Sequence, residues 1–206
     1  MLAGPALSTV RAVKIGFLGG SFDPVHFGHL MAAQDAYEQL QLDRVVFVPA
    51  AQAPLKPQQT QSSGEDRLAM LRAATAWDSR FEISDFEVRQ GGLSYTIDSV
   101  RHFRAMYPND QLFWIIGGDQ LPQLHLWKDI AALAQMVEFA FLERPGYAAK
   151  AFAEIPGLRL RRCDGHLLAI SSTELRARTR QNLSLHYFMP HNAIAYIEQR
   201  RLYRES

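Results

Sequence analysis

Residues 13–30 read Val13-Lys14-Ile15-Gly16-Phe17-Leu18-Gly19-Gly20-Ser21-Phe22-Asp23-Pro24-Val25-His26-Phe27-Gly28-His29-Leu30. The apolar run over 13–18 predicts a buried strand. Gly19 and Gly20 follow, then a turn marked by Asp23-Pro24. His26 and His29 stand at the mouth of a helical pattern carried on by Ala32, Ala33, Tyr37 and Leu40. A strand, a glycine turn and a helix start aim backbone N–H groups and the positive end of a helix dipole at a phosphate. Two histidines add donors that change charge near neutral pH. The stretch therefore reads as a phosphate-handling site. The competing reading is a tight βα turn with two surface histidines.

The rest of the chain repeats that rhythm. Apolar runs over 44–49, 81–84, 112–116 and 138–142, with a shorter one over 158–162, predict further strands. Amphipathic patterns over 28–40, 65–77, 96–106 and 126–135 predict helices, and 190–202 a closing helix begun by Pro190. Near-continuous apolar strands alternating with helices predict an α/β fold. It is a Rossmann-like, doubly wound parallel sheet of five to six strands with helices on both faces. Ligands of such sheets sit beyond the carboxyl ends of the strands, where the strand order reverses. The phosphate loop is of neither common nucleotide type. No GxxxxGK[ST] occurs, the glycines do not fit GxGxxG, and the second strand ends in Pro49-Ala50-Ala51 without an acid to grip a ribose.

Bulk properties narrow the class. The chain has 206 residues, 48% of them hydrophobic, which supports one substantial core and one domain over 1–206, with 1–12 as a loose leader. A formal net charge of +1 gives no electrostatic reason to expect nucleic acid or a membrane surface as partner. One cysteine, Cys163, allows no internal disulfide and suits a reducing cytoplasm. No run is long enough to span a membrane. No feature sets an oligomeric state.

Three further segments carry chemistry. In Gly91-Gly92-Leu93-Ser94-Tyr95-Thr96, the glycines free a loop and Ser94 is placed to cap the next helix, whose N–H groups suit a small carboxylate. A helix cap needs no ligand, however. In Ile116-Gly117-Gly118-Asp119, the glycines permit close backbone approach and Asp119 can accept hydrogen bonds from ribose hydroxyls. In Ile170-Ser171-Ser172-Thr173-Glu174-Leu175-Arg176, hydroxyls cap a helix and Arg176 offers a planar fork to phosphate oxygens. The alternating Glu82, Asp85 and Glu87 are read as a sheet end without a catalytic role. Glu143 to Tyr147 is read as a turn. Arg159, Arg161 and Arg162 are read as an exposed strand face.

The string Gly19 to His29, with its His26-Phe27-Gly28-His29 core, resembles the signature of HxGH nucleotidyltransferases. ISSTxxR over 170–176 is their other hallmark. Together with Ser94-Tyr95-Thr96 and Trp127, the pattern resembles the bacterial nicotinate mononucleotide adenylyltransferase family from Ile15 to Tyr203. That resemblance implies adenylyl transfer from ATP to nicotinate mononucleotide, giving deamido-NAD and pyrophosphate, with Mg²⁺ held mainly by ATP phosphates. It implies that His26, His29, Lys56 and Arg176 are catalytic. Gly19, Gly20, Ser21, Phe22, Gly117, Asp119 and Ile170 to Thr173 would bind ATP. Ser94, Tyr95 and Thr96 would border the pyridine pocket and Trp127 stack on the ring. Leu55 departs from the pattern, since histidine is common there in the family. A zinc hydrolase using His26, His29 and Asp23 lacks an identifiable further strong ligand and a base. Other acceptors, nicotinamide mononucleotide or phosphopantetheine, and a nucleotide sensor without turnover remain as alternatives.

Overall fold

The computed structural model describes residues 11–55, 60–143, 153–166 and 168–204. Six strands form one sheet: β1 (Lys14–Gly20), β2 (Arg44–Pro49), β3 (Phe81–Ile83), β4 (Gln111–Gly117), β5 (Glu138–Glu143) and β6 (Leu160–Asp164). All pair in parallel, in the order β3-β2-β1-β4-β5-β6. The chain therefore builds outward one way from β1, then returns to its other side with β4. The crevice between the ends of β1 and β4 is the switch point.

Side chains on each strand divide between two cores, as a period of two requires. Ile15, Phe17, Val46, Leu112, Trp114 and Phe139 pack on one face of the sheet. Leu18, Val45, Phe47, Phe113, Ile115 and Ala140 pack on the other. The second face is covered by α1 (Phe27–Leu40), α2 (Gly64–Thr75) and two C-terminal helices, α6 (Ser172–Arg180) and α7 (His191–Arg200). The first is covered by α4 (Thr96–Met106), a 3₁₀ helix (Gly118–Leu126) and α5 (Ile130–Met136). A short α3 (Phe86–Gln90) precedes α4. Gly16 lets these layers close on β1, because a Cβ there would collide with the side chains of Leu42 and Ile115. No helix of the described residues is long and apolar enough to cross a membrane.

Four expectations need correction. Gly19 and Gly20 belong to the end of β1 rather than to a glycine turn; the turn itself falls at Asp23–Pro24, where it was expected, just after Phe22 at φ 50°. β6 lies two residues later than expected, because pairing continues through Cys163 opposite Leu142 and Asp164 opposite Glu143. The helix expected over 126–135 begins only at Ile130. Pro122 sits inside the preceding 3₁₀ helix, and Asp129 takes a left-handed conformation that separates the two. The strand expected over 81–84 stops at Ile83, and Ser84 Oγ accepts from Phe86 N (3.3 Å) as the chain turns into α3. Residues 1–10 of the expected leader lie outside the described residues.

Candidate active site

His26 is the N-cap of α1. Its backbone N–H donates to His29 Nδ1 (3.3 Å), so the neutral His29 ring carries its proton on Nε2 and presents a donor there. The two imidazoles stack at 3.7 Å between centroids, and Phe22 meets His29 edge-on at 4.9 Å. His26 is buried and His29 half-buried. Asp23, the third member of the zinc reading, turns away from them. Its carboxylate accepts from the backbone of Gln61 and Ser62, from Ser62 Oγ and from Tyr203 Oη (2.7 Å). Among the described residues no group of three or more His, Cys, Asp or Glu is placed to hold a metal.

The second motif is fastened to the first. Ser171 caps α6 through Glu174 N (3.2 Å), and Ser172 Oγ donates to the Pro24 carbonyl (2.8 Å). Arg176 donates to the Asp23 carbonyl (2.7 Å) and to Thr173 Oγ1 (3.2 Å). Arg176 therefore ties α6 to the turn before α1 as well as facing the crevice. Asp23, His26, His29, Ser171, Ser172, Thr173 and Arg176 line one cavity of about 610 Å³, together with Gly19 to Phe22, Gly117, Asp119 and Ile170.

A second cavity, of about 530 Å³, lies beside it and is lined by Ser94, Tyr95, Thr96 and Trp127. Both cavities share Gly19, Gly20, Ser21, Ile115, Ile116, Asp119 and Gln120 as walls, so they meet at the ends of β1 and β4. Ser94 does not cap α4. Its Oγ accepts from Ala51 N (2.8 Å) and its N–H donates to the Gln52 carbonyl (2.9 Å), which straps the loop to the segment after β2. Tyr95 takes the N-cap position, and no side chain caps the helix. Trp127 ends the 3₁₀ helix, with its ring edge-on to Phe139 at 6.0 Å and the cavity beside it. Lys56 lies outside the described residues, as do Arg144 to Tyr147 of the expected turn. Leu55 is half exposed at the rim of the second cavity. The arginine cluster is taken up in pairs, Arg159 and Arg161 with Glu138 and Arg162 with Glu143 and Asp164.

Sequence reasoning missed several members of the site. Arg67 read as part of a packing helix, yet it is fully buried and donates to the carbonyls of Ser21 (2.8 Å) and Ala50 (2.6 Å). It thus ties the ends of β1 and β2 beneath the crevice. Glu87 is buried at the edge of the second cavity. Burial pushes its carboxyl above the usual range, against hydrogen bonds from Ser99 and Ser94 and the charge of Arg67. Lys128 is the sole cation lining the second cavity among the described residues, with its ammonium 4.3 Å from the Tyr95 ring centroid. Asp35 and His166 pair in the wall of the first cavity. None of these has a local signal, since each is defined by partners distant in the chain.

The profile described as cytidylyltransferase-like matches residues 17–178. A probable nicotinate-nucleotide adenylyltransferase of Opitutus terrae is 71% identical over 94% of this chain and 100% of its own length. One of Methylacidiphilum infernorum is 38% identical, over 96% and 95%. Among solved structures, the Plasmodium falciparum nicotinic acid mononucleotide adenylyltransferase complexed with NaAD aligns with a TM-score of 0.74. That alignment has 19% identity and covers 93% of this chain and 97% of the other. This last likeness speaks for the fold. The sequence relatives, which agree with both motifs now found on one crevice, go further: the chain belongs to the nicotinate-nucleotide adenylyltransferase family of cytidylyltransferase-like nucleotidyltransferases.

Proposed function

We propose that this chain joins ATP and nicotinate mononucleotide into deamido-NAD, releasing pyrophosphate. The observation that carries the reading is the pair of cavities meeting at the switch point. One has phosphate donors and the other an aromatic wall, and their shared walls leave a dinucleotide room to span both. An oxygen of the mononucleotide phosphate forms a bond to the α-phosphorus of ATP, and the bond from that phosphorus to the pyrophosphate oxygen breaks. The attacking oxygen is already ionised, so no general base is required. The protein's work is alignment and relief of charge.

In this reading His29, with Nε2 as donor, serves the α-phosphoryl group and His26 shares that duty. Arg176 serves the β and γ phosphates, as does Lys56 by the family resemblance. Asp119, which lines both cavities, accepts from ribose, and the glycines on either side admit the nucleotide backbone. Trp127 stacks on the pyridine. The uncapped start of α4 at Tyr95–Thr96 and the ammonium of Lys128 favour its carboxylate. A Mg²⁺ ion fits as a companion of the triphosphate, neutralising phosphate charge while taking few protein ligands. Asp23 is fully engaged elsewhere, so such an ion would be held mainly by the phosphates and would relieve their charge. Burial pushes the Cys163 thiol up to about 11, which leaves it a poor nucleophile with no part in the reaction.

Pyrophosphate release with ATP and Mg²⁺ tests the reading, with nicotinate and nicotinamide mononucleotides offered in parallel. Turnover with a strong preference for the nicotinate form is expected. Equal rates would refute the carboxylate pocket. No release with either would refute the acceptor and turn attention to phosphopantetheine.

A further inference from the structure

Asp35 is an acid buried in α1 between the core residues Ala33 and Ala36. Burying a carboxylate is costly unless its oxygens are satisfied. Here both are satisfied by one residue. Oδ2 accepts from the backbone N–H of His166 (2.9 Å), and Oδ1 meets the ring Nδ1 (2.6 Å). The side chain so gripped is itself 70% exposed. Holding an exposed ring with a buried charge adds little to core packing, but it fixes the ring's position. A second grip lies one turn further along α1, where Gln39 donates to the Asp164 carbonyl (2.7 Å) and accepts from Asp164 N (2.8 Å). The chain leaving β6 is thus held to α1 just before it reaches Ile170 and Ser171.

Both Asp35 and His166 line the same cavity as His26, His29 and Arg176. If the triphosphate lies on those donors and the mononucleotide occupies the neighbouring cavity, the base of ATP must use what is left. That remainder is bordered by Ala32, Leu142, Gly165 and Leu168 with the imidazole of His166. We infer that Asp35 and His166 form the nucleobase end of the ATP cavity, His166 contacting the adenine and Asp35 acting as its positioning residue. The inference rests on the function proposed above. With Nδ1–H given to Asp35, the neutral ring keeps Nε2 as an acceptor, and no described residue engages it. An acceptor there complements the exocyclic amine of adenine and opposes the carbonyl that guanine carries at the same position. A wrong base would leave two acceptors facing each other.

The test is steady-state kinetics of pyrophosphate release with the full chain, varying ATP, GTP and nicotinate mononucleotide separately. His166→Ala should raise the KM for ATP by about tenfold and narrow the preference for ATP over GTP. It should leave kcat and the KM for the mononucleotide within about twofold. His166→Gln, which keeps a planar acceptor, should restore part of the base preference. Asp35→Asn, checked by thermal melting, should shift the same parameters in the same direction. An unchanged KM for ATP in His166→Ala would overturn the assignment, as would equal rises for both substrates or an unchanged ATP/GTP ratio. Absence of turnover in the parent protein would instead overturn the proposed function on which it rests.

Discussion

At the scale of single residues, the middle of His26-Phe27-Gly28-His29 shows why the motif needs its glycine. A Cβ at position 28 would stand 3.0 Å from His26 Nδ1 and 3.1 Å from its Cε1. The ring has little room to yield, because it is buried and stacked on His29. Gly28→Ala should therefore displace one or both imidazoles from the α-phosphoryl position. A misplacement of a few tenths of an ångström in aligned donors should lower kcat by roughly tenfold or more, with the melting temperature little changed. A kcat within twofold of the parent would show that the rings do not need this alignment. The histidines were legible because their whole context is one contiguous string. Arg67 was not, because its partners, Ser21 and Ala50, lie 46 and 17 residues away and its own helix looks amphipathic. Asp35 and His166, 131 residues apart, left no pattern to find.

At the scale of elements, periodicity located five strands well and the sixth with a two-residue offset. An offset of two keeps every side chain on its own face, so the hydrophobic pattern alone could not resolve it. The 3₁₀ helix over Gly118–Leu126 was hidden for a similar reason. Its spacing of apolar residues differs little from that of an α-helix, and only Pro122 and the left-handed Asp129 separate it from α5. The join between α2 and α7 gives a prediction. Asp66 in the first turn of α2 accepts from Ser63 Oγ (2.6 Å), Tyr196 Oη (2.9 Å) and Arg200 Nε (3.3 Å). Burial alone would raise its carboxyl, but these hydrogen bonds and the Arg200 charge outweigh it and hold the group below its ordinary 3.8. A depressed folded-state pKa contributes stability that is present above 3.8 and lost as pH falls through the folded value. Asp66→Asn should thus lower unfolding free energy by about 1–3 kcal/mol at neutral pH. The gap should close on acidification below 3.8 and leave kcat intact. Urea unfolding at pH 7 and at pH 3 measures both gaps; a gap that stays constant would mean the carboxylate's charge has no part in the join.

At the scale of the whole molecule, the alternation of strands and helices predicted a parallel sheet, but not which strands would be neighbours. The placement of β4 beside β1 depends on a crossover to the opposite face, and that crossover is what makes the crevice. It also divides the crevice between separate stretches of chain. The first cavity is walled by the start of α1 and by residues among 165–166 and 168–176, stitched together through Ser172 to Pro24, Arg176 to Asp23 and Asp35 to His166. The second is walled by residues 94–96 and 119–128, strapped to the segment after β2 through Ser94. Each substrate should therefore quiet its own pair of segments, because a ligand that binds the folded site suppresses the local openings that expose it. In hydrogen exchange, a non-reactive ATP analogue with Mg²⁺ should protect amides around 26–32 and 165–176. Nicotinate mononucleotide alone should protect those around 91–97 and 118–128. The walls common to both cavities, at the ends of β1 and β4, should respond to either ligand. If the analogue and the mononucleotide protected the same segments, the division of the crevice into a nucleotide half and an acceptor half would be wrong. The in-line geometry built on their meeting at Gly19 to Ser21 would then fall with it.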